Sequence, residues 1–320
     1  MAKTIIYRPK MSTADIRNKI KFFYTEKFFN LWMSKYIFNG LNYQQYHFIM
    51  KKLWAVGTVA CSSIKSADKA LAGLVSSGEI DMGSNELIFT PWAFAKRYNI
   101  YDFPTHARLI NTRAVKFITN KELEIDKEVV IIFAQKNHKS VFSSIEAKLN
   151  EIVDLEMKKR VALKAQSQGW MFTFSPEDFE QAKVLERQLE EDAPYMFVPF
   201  QDVDKVKGIT SGAPYIVDKI QELIDGRVNE VLTMLGVNNL GIGEKKEHLV
   251  VDEINANNED VEQRSLSFKN EIEDSFDRIN SLFEKSITVI DMNEVMKEAL
   301  DEVDEKEDSS YNVEGGKEDA

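Results

Sequence analysis

The chain has 320 residues, 43% of them hydrophobic, and a net charge of −11 at neutral pH. That supplies a sizeable core for one elaborate domain or two ordinary ones and excludes a wholly disordered chain. No apolar run reaches the roughly 18 residues of a membrane-spanning helix. Residues 1–10 lack a secretory apolar stretch, and the single cysteine, Cys61, excludes an internal disulfide framework and a cysteine-based zinc site.

The charge is unevenly spread. Residues 1–69 hold 12 Lys/Arg against 3 Asp/Glu, whereas residues 301–320 hold 9 Asp/Glu against 2 Lys. A basic start and an acidic tail suit two different electrostatic surroundings, or simply solvated surface.

In chain order, Ser12 or Thr13 can cap a helix running to about Lys35, with Ile16, Ile20, Phe23, Phe28, Leu31 and Trp32 as its apolar residues. Lys and Arg alternate with the aromatics. Such a pattern suits either a nucleic-acid surface or an amphipathic helix packed on its own protein. Further helices are expected at Tyr43–Trp54 and near Ser66–Ser76. From Glu86 to Phe133 the texture becomes β: Leu87–Thr90, Tyr98–Tyr101, Ala114–Ile118 and Val129–Phe133 read as short antiparallel strands. The last is apolar on both faces and should be covered.

A long helix follows from about Ser143 to Gln166, capped by Ser143 or Ser144 with Glu146 near the third position. Its acidic residues come first (Glu146, Glu151, Asp154, Glu156) and its basic ones last (Lys158, Lys159, Arg160, Lys164), the order the helix dipole favours. Gly169 closes it. Trp170–Phe174, a helix over Pro176–Glu191, and strands at Tyr195–Phe200 and Lys207–Ser211 then form a small α/β insert. A second long helix, Pro214–Leu235, ends at Gly236 and carries Ile216, Ile220, Leu223, Ile224, Val228, Val231 and Leu235. Two long helices therefore bracket the insert, and antiparallel pairing would hold it at their tip. Val237–Asp260 is a polar, glycine-bearing loop with Lys245, Lys246 and His248. A last helix spans about Val261–Lys285, and the tail beyond Asp301 should be mobile. The fold class is mainly α with β modules (α+β).

No catalytic set emerges. Gly236–Gly241 has the glycine spacing of a phosphate loop, but Ile242 and Gly243 stand where Lys and Ser/Thr are required. Gly241-Ile-Gly243 lacks the third glycine of a dinucleotide fingerprint. Pro176–Lys183 has the wrong spacing for a nuclease carboxylate–lysine set. His47, His106, His138 and His248 show no ligand spacing, and Asp252, Glu253, Glu259 and Asp260 read as a solvated loop. The chain reads as a non-enzyme with no cofactor and no metal.

This layout resembles the phage portal (head–tail connector, upper collar) family. It is most similar to the connectors of small short-tailed podoviruses of the Picovirinae type. The resemblance is carried over about Asp192–Phe283 by Ala193-Pro194-Tyr195, Ala213-Pro-Tyr-Ile-Val-Asp-Lys219, Asn229-Glu-Val-Leu-Thr-Met-Leu-Gly236-Val, Glu244-Lys-Lys-Glu247, Val251-Asp-Glu253, Arg278-Ile-Asn280 and Leu282. Before residue 140 it rests on layout.

It implies a portal fold divided as 1–143 N-terminal helices and β-rich wing, 144–166 stem helix, 167–213 α/β clip, 214–236 stem helix, 237–260 tunnel loop, 261–287 wing helix and 288–320 crown and acidic tail. It implies a homododecameric ring at one capsid vertex, through which double-stranded DNA is packaged and ejected. The major capsid protein, a packaging ATPase and lower collar or tail proteins would be its partners, with no membrane. The subunit would reside in the virion, and in host cytoplasm during assembly. Lys245 and Lys246 match the family's loop lysines, and His248 lies in the same loop. Arg8, Lys10, Arg17, Lys19 and Lys21 form the basic N-terminal region. Trp170, Phe172, Tyr195 and Phe197 belong to the clip, where so many aromatic groups in so short an insert should pack partly on a neighbouring subunit or the motor. The alternatives are a nucleic-acid-binding protein, or another structural virion protein such as a scaffold or lower collar.

Overall fold

The computed structural model describes residues 12–67, 72–73, 77, 86–111, 121–167, 170–173, 207–210, 214–238 and 251–295. They form two compact units, residues 1–20 with 150–228 and residues 21–149 with 229–320. The expected features at Ala114–Ile118, Pro176–Glu191, Tyr195–Phe200 and the acidic tail lie outside the described residues.

The first unit contains the start of α1 (Thr13–Lys35). Its cap is reciprocal. The Asp15 amide donates to Ser12 Oγ at 3.1 Å, and the Ser12 amide and hydroxyl donate back to the Asp15 carboxylate at 3.2 and 2.7 Å. These bonds hold the Asp15 carboxyl below its usual range. Most of two long helices also lies here, α4 (Val141–Ser167) and α5 (Val217–Met234). They pair antiparallel. Arg227 meets Glu151 at 2.9 Å, Lys159 Nζ donates to Gln221 Oε1 at 2.5 Å, and Gln166 Nε2 donates to the Pro214 carbonyl at 3.3 Å. Ile152, Val153, Val217, Ile220, Ile224 and Val228 are buried. At the far end β8 (Trp170–Thr173) and β9 (Lys207–Thr210) pair antiparallel, Trp170 opposite Thr210 and Thr173 opposite Lys207.

Among the described residues, the second unit holds three small sheets. β1 (Tyr36–Asn39) pairs with β10 (Thr288–Asp291). β2 (Thr58–Ser63) lies between β3 (Leu87–Thr90) and β7 (Val129–Phe133), with Cys61 opposite both Phe89 and Val130. β4 (Trp92–Phe94), β5 (His106–Leu109) and β6 (Leu123–Glu124) form the third. α2 (Tyr43–Ala55) is closed by an Asn42–Gln45 capping box, and α3 (Ile64–Ala67) follows β2. The core is aromatic. Trp32 lies 5.9 Å from Trp54 and 6.1 Å from Phe268 of α6 (Val251–Phe283), and Phe38 meets Phe276 edge-on at 4.9 Å. Cys61 is buried, which pushes its thiol far up, as suits a core residue.

Several expectations are corrected. α6 starts at Val251, so the run Asn255–Asn258 is helical rather than loop. Asn costs a helix only about 0.7 kcal/mol, and the acidic residues 252 and 253 fall in the first turn, where the helix dipole favours negative charge. α4 begins at Val141 and is capped by Ser140, whose Oγ accepts from the Ser143 amide at 3.0 Å. Glu146 thereby falls a turn later and is free to pair with Lys21. Pro214 precedes α5 by three residues instead of opening it. Tyr98–Tyr101 is a turn with one bridge, Tyr98 to Pro104, because Asn99 Oδ1 accepts from the Tyr101 and Phe103 amides. On α1 the buried residues are Tyr24, Phe28, Trp32 and Lys35. Their 4-4-3 spacing is one narrow stripe, which leaves Phe23 61% exposed and Leu31 at its edge.

Candidate functional site

The basic N-terminal residues within the described range are engaged. In the first unit Arg17 Nη1 lies 2.5 Å from Asp154 Oδ1, and in the second Lys21 Nζ lies 3.2 Å from Glu146 Oε1. Lys19 also has a partner. Arg8 and Lys10 lie outside the described residues. The acidic half of α4 is correspondingly occupied: Glu146 by Lys21, Glu151 by Arg227, Asp154 by Arg17 and Glu156 by Lys159 at 4.0 Å. Half-exposed pairs of this kind contribute about 0–1 kcal/mol each.

Trp170 and Phe172 lie two apart on β8, opposite Thr210 and Gly208. Tyr195 and Phe197 of the insert, and the loop residues Lys245, Lys246 and His248, lie outside the described residues. The ends of that loop are described. α5 finishes in a turn at Gly236, with φ +65°, and α6 starts at Val251.

Two clusters in the second unit were not singled out as sites by sequence reasoning. The first is built from the run Arg278-Ile-Asn280. The Arg278 guanidinium donates to the Ile131 carbonyl at 2.8 Å and to Asp126 Oδ1 at 2.9 Å, clamping β7 and its preceding turn to α6. Asn280 exchanges two 2.8 Å hydrogen bonds with the backbone of Ile287, holding the chain that enters β10. The second surrounds Lys35. Its Nζ and Asp291 Oδ2 are 3.8 Å apart, and each side chain is only 2% exposed. The Ser265 hydroxyl donates to Asp291 Oδ2, and the Asn293 amide donates to Asp291 Oδ1 at 2.9 Å. Tyr36 donates to the Ser265 carbonyl at 3.2 Å. Burial, partly offset by the Asp291 and Glu294 carboxylates, holds Lys35 down to about 8. Burial likewise pushes the Tyr36 phenol up. A lysine at the end of a narrow buried stripe, one turn beyond Trp32, was the available signal.

Among the described residues, no group of three or more His, Cys, Asp or Glu side chains could hold a metal ion, and no helix is long and apolar enough to cross a membrane. Both clusters tie backbone segments together.

Among solved structures the chain is similar to one described as the portal and tail of native bacteriophage P68, at 13% identity over 88% of this chain and 91% of that one, with a TM-score of 0.44. It is similar to an HK97 family phage portal protein from Corynebacterium diphtheriae at 10% identity, covering 87% and 95%, with a TM-score of 0.47. A third, from the virion of a native gene transfer agent particle, shares 9% identity over 98% and 91%, with a TM-score of 0.44. At such identities and scores the assignment rests on the family model instead. The model described as Phage Connector (GP10) matches residues 6–296, nearly the whole sequence, and the chain belongs to that family of phage portal (connector) proteins.

Proposed function

We propose that this connector subunit assembles into a closed homododecameric ring of the short-tailed podovirus type, at one capsid vertex. Double-stranded DNA enters and leaves through the channel. One structural observation supports the ring above others: among the described residues, the paired helices α4 and α5 carry large exposed apolar side chains. Val161 is 65% exposed, Leu163 46% and Leu223 53%. Val161 and Leu163, two residues apart, diverge by about 200° around α4. A subunit with uncovered apolar groups on two sides of one helix suits a head-to-tail ring, in which each copy meets a neighbour on either flank. A two-fold dimer would need only one such side.

In this reading α4 and α5 are the stem, and the insert between them is the clip, where Trp170, Phe172, Tyr195 and Phe197 pack against a neighbouring subunit or a packaging ATPase. The sheets of the second unit form the wing, which seats against the major capsid protein, while lower collar and tail proteins follow on the outside. Lys245, Lys246 and His248 lie in the loop between the second stem helix and α6. Repeated around a ring, the two lysines per chain give a belt of positive charge that contacts phosphates weakly and in a salt-sensitive way. The chain has an acidic balance overall, which keeps DNA from adhering elsewhere. Assembly takes place in host cytoplasm, and ATP hydrolysis belongs to the motor.

The test is the mass of the purified protein by light scattering. Twelve copies of the 36.8 kDa chain give about 440 kDa, with a central hole in electron micrographs. A mass of one or two chains across salt conditions overturns the ring.

A further inference from the structure

The Lys35 cluster lies beneath the turn that ends α5. Gly236 is packed so closely there that a methyl group on it would lie 2.7 Å from Lys35 Nζ and 2.7 Å from the Ser265 amide of α6. Asn293 Nδ2 donates to the Gly236 carbonyl at 3.2 Å, which ties the same turn to the segment after β10. The cluster therefore joins α5 to α6, the two helices that flank residues 239–250.

The Lys35 ammonium is poorly provided for. Its one buried counter-charge, Asp291 Oδ2, is 3.8 Å away, beyond ordinary hydrogen-bond length, and also receives the Ser265 hydroxyl, while the Asn293 amide takes Oδ1. The Tyr36 ring, 5.0 Å from Nζ, adds a weak cation–π contact. The other charges facing it are Glu294, after β10, and Lys269 and Glu273 of α6. Lys269 pairs with Glu294 at 2.5 Å and with Glu273 at 3.8 Å, so these largely answer one another. A buried cation lacking the hydrogen bonds that water gave it favours any opening that wets it.

We propose that Lys35 and Asp291 form a proton-linked latch on the Gly236 turn, which holds the turn on α6 while Lys35 is neutral and lets it open more often when Lys35 is charged. The sign follows from proton binding. Closed, Lys35 is held down to about 8, whereas opened to water it returns toward 10.5. Between these values the open state binds more protons, so raising the pH favours the closed state. Below about 8 both states are protonated and opening is at its maximum. At neutral pH the latch is thus at its loosest. The latch holds whether or not that segment touches DNA.

Amide hydrogen exchange of the full chain in its native oligomer tests this at Gly236, Val237 and Asn293, with the oligomer mass checked at each pH. Protection factors should be level from pH 6.5 to 7.5, then rise about tenfold per unit between pH 8 and 10. Asp291→Asn, which leaves the lysine buried, should keep the rise. The double variant Lys35→Met/Asp291→Asn, which removes both charges together, should abolish it. Flat protection in the wild-type protein overturns the latch, as does a rise that survives in the double variant.

Discussion

Replacing Gly236 with alanine tests the packing that closes the second long helix. At φ +65° an L-residue costs about 1–2 kcal/mol. The new methyl would also lie 2.7 Å from the Ser265 amide nitrogen and 2.9 Å from its Cα. Those are backbone atoms inside α6 and cannot swing aside as a side-chain tip would, so overpacking adds about 1–3 kcal/mol. Alanine lowers the entropy of the unfolded chain, which returns about 0.4–1 kcal/mol. The net expectation is a loss of about 1–4.6 kcal/mol. Gly226 is the internal control. It lies within α5, and a methyl there meets no atom within 4 Å in the chain. Gly226→Ala should therefore gain about 0.5–1 kcal/mol from helix propensity. The assay is urea unfolding followed by far-ultraviolet circular dichroism at matched protein concentration, because assembly couples stability to concentration. If Gly236→Ala stays within about 0.5 kcal/mol of wild type, the close approach of the turn to α6 is wrong.

Arg278→Met should lose about 1.5–3 kcal/mol, since it removes charge-assisted bonds to Ile131 and Asp126; an unchanged urea midpoint would show that the clamp on β7 is idle. Asn280→Ala leaves the Ile287 amide and carbonyl without their side-chain partner and should lose about 1–3 kcal/mol, with faster exchange of the β10 amides. Lys245→Ala/Lys246→Ala should leave oligomer mass intact but shorten the DNA retained per particle, measured at two salt concentrations; full-length retention at both refutes phosphate contact by the loop. Polar substitution at Leu223, Val161 or Leu163 should lower ring yield, and undiminished rings with unchanged heat resistance would remove these residues from the subunit interface.

The long helices and the covered strand were legible because their signals are local and strong. Ile145, Leu149 and Ile152 repeat at helical spacing and are all buried, and Val129–Ile132 is buried on both faces. Strands made of ordinary or small residues were not legible. Thr58–Ser63 reads Thr-Val-Ala-Cys-Ser-Ser, with little β-branched weight, yet it is the central strand of its sheet because β3 and β7 pair with it from either side. Likewise β1 and β10 meet across most of the sequence, from Tyr36 to Asp291, a pairing that no local window can contain. Helix ends were misplaced where the cap was a side chain one turn away from the expected one, as with Ser140 in place of Ser143. The run Arg278-Ile-Asn280 carries part of a family resemblance, and the structure gives it a cause: two side chains bind two stretches of backbone, at Ile131 and Ile287, and one carboxylate, Asp126.

The charge pattern of the N-terminal region has two physical readings, and the contacts of α1 favour one of them. Cations that neutralise phosphates have to be available to them. Arg17 and Lys21 instead meet Asp154 and Glu146 on α4, Lys65 meets Glu86 at 3.5 Å, and Lys35 is buried against Asp291. Among the described residues, Arg17, Lys21 and Lys35 are thus counter-charges for acidic residues that lie far along the sequence, two of them in the acidic first half of α4. The aromatic residues between them divide in the same way, since Phe28 and Trp32 are core while Phe22 and Phe23 face outward. Alternating basic and aromatic residues on α1 thus record helix packing with charged struts on its flanks. Among the described residues, the pattern on α1 therefore combines one buried aromatic stripe with half-exposed ion pairs to α4.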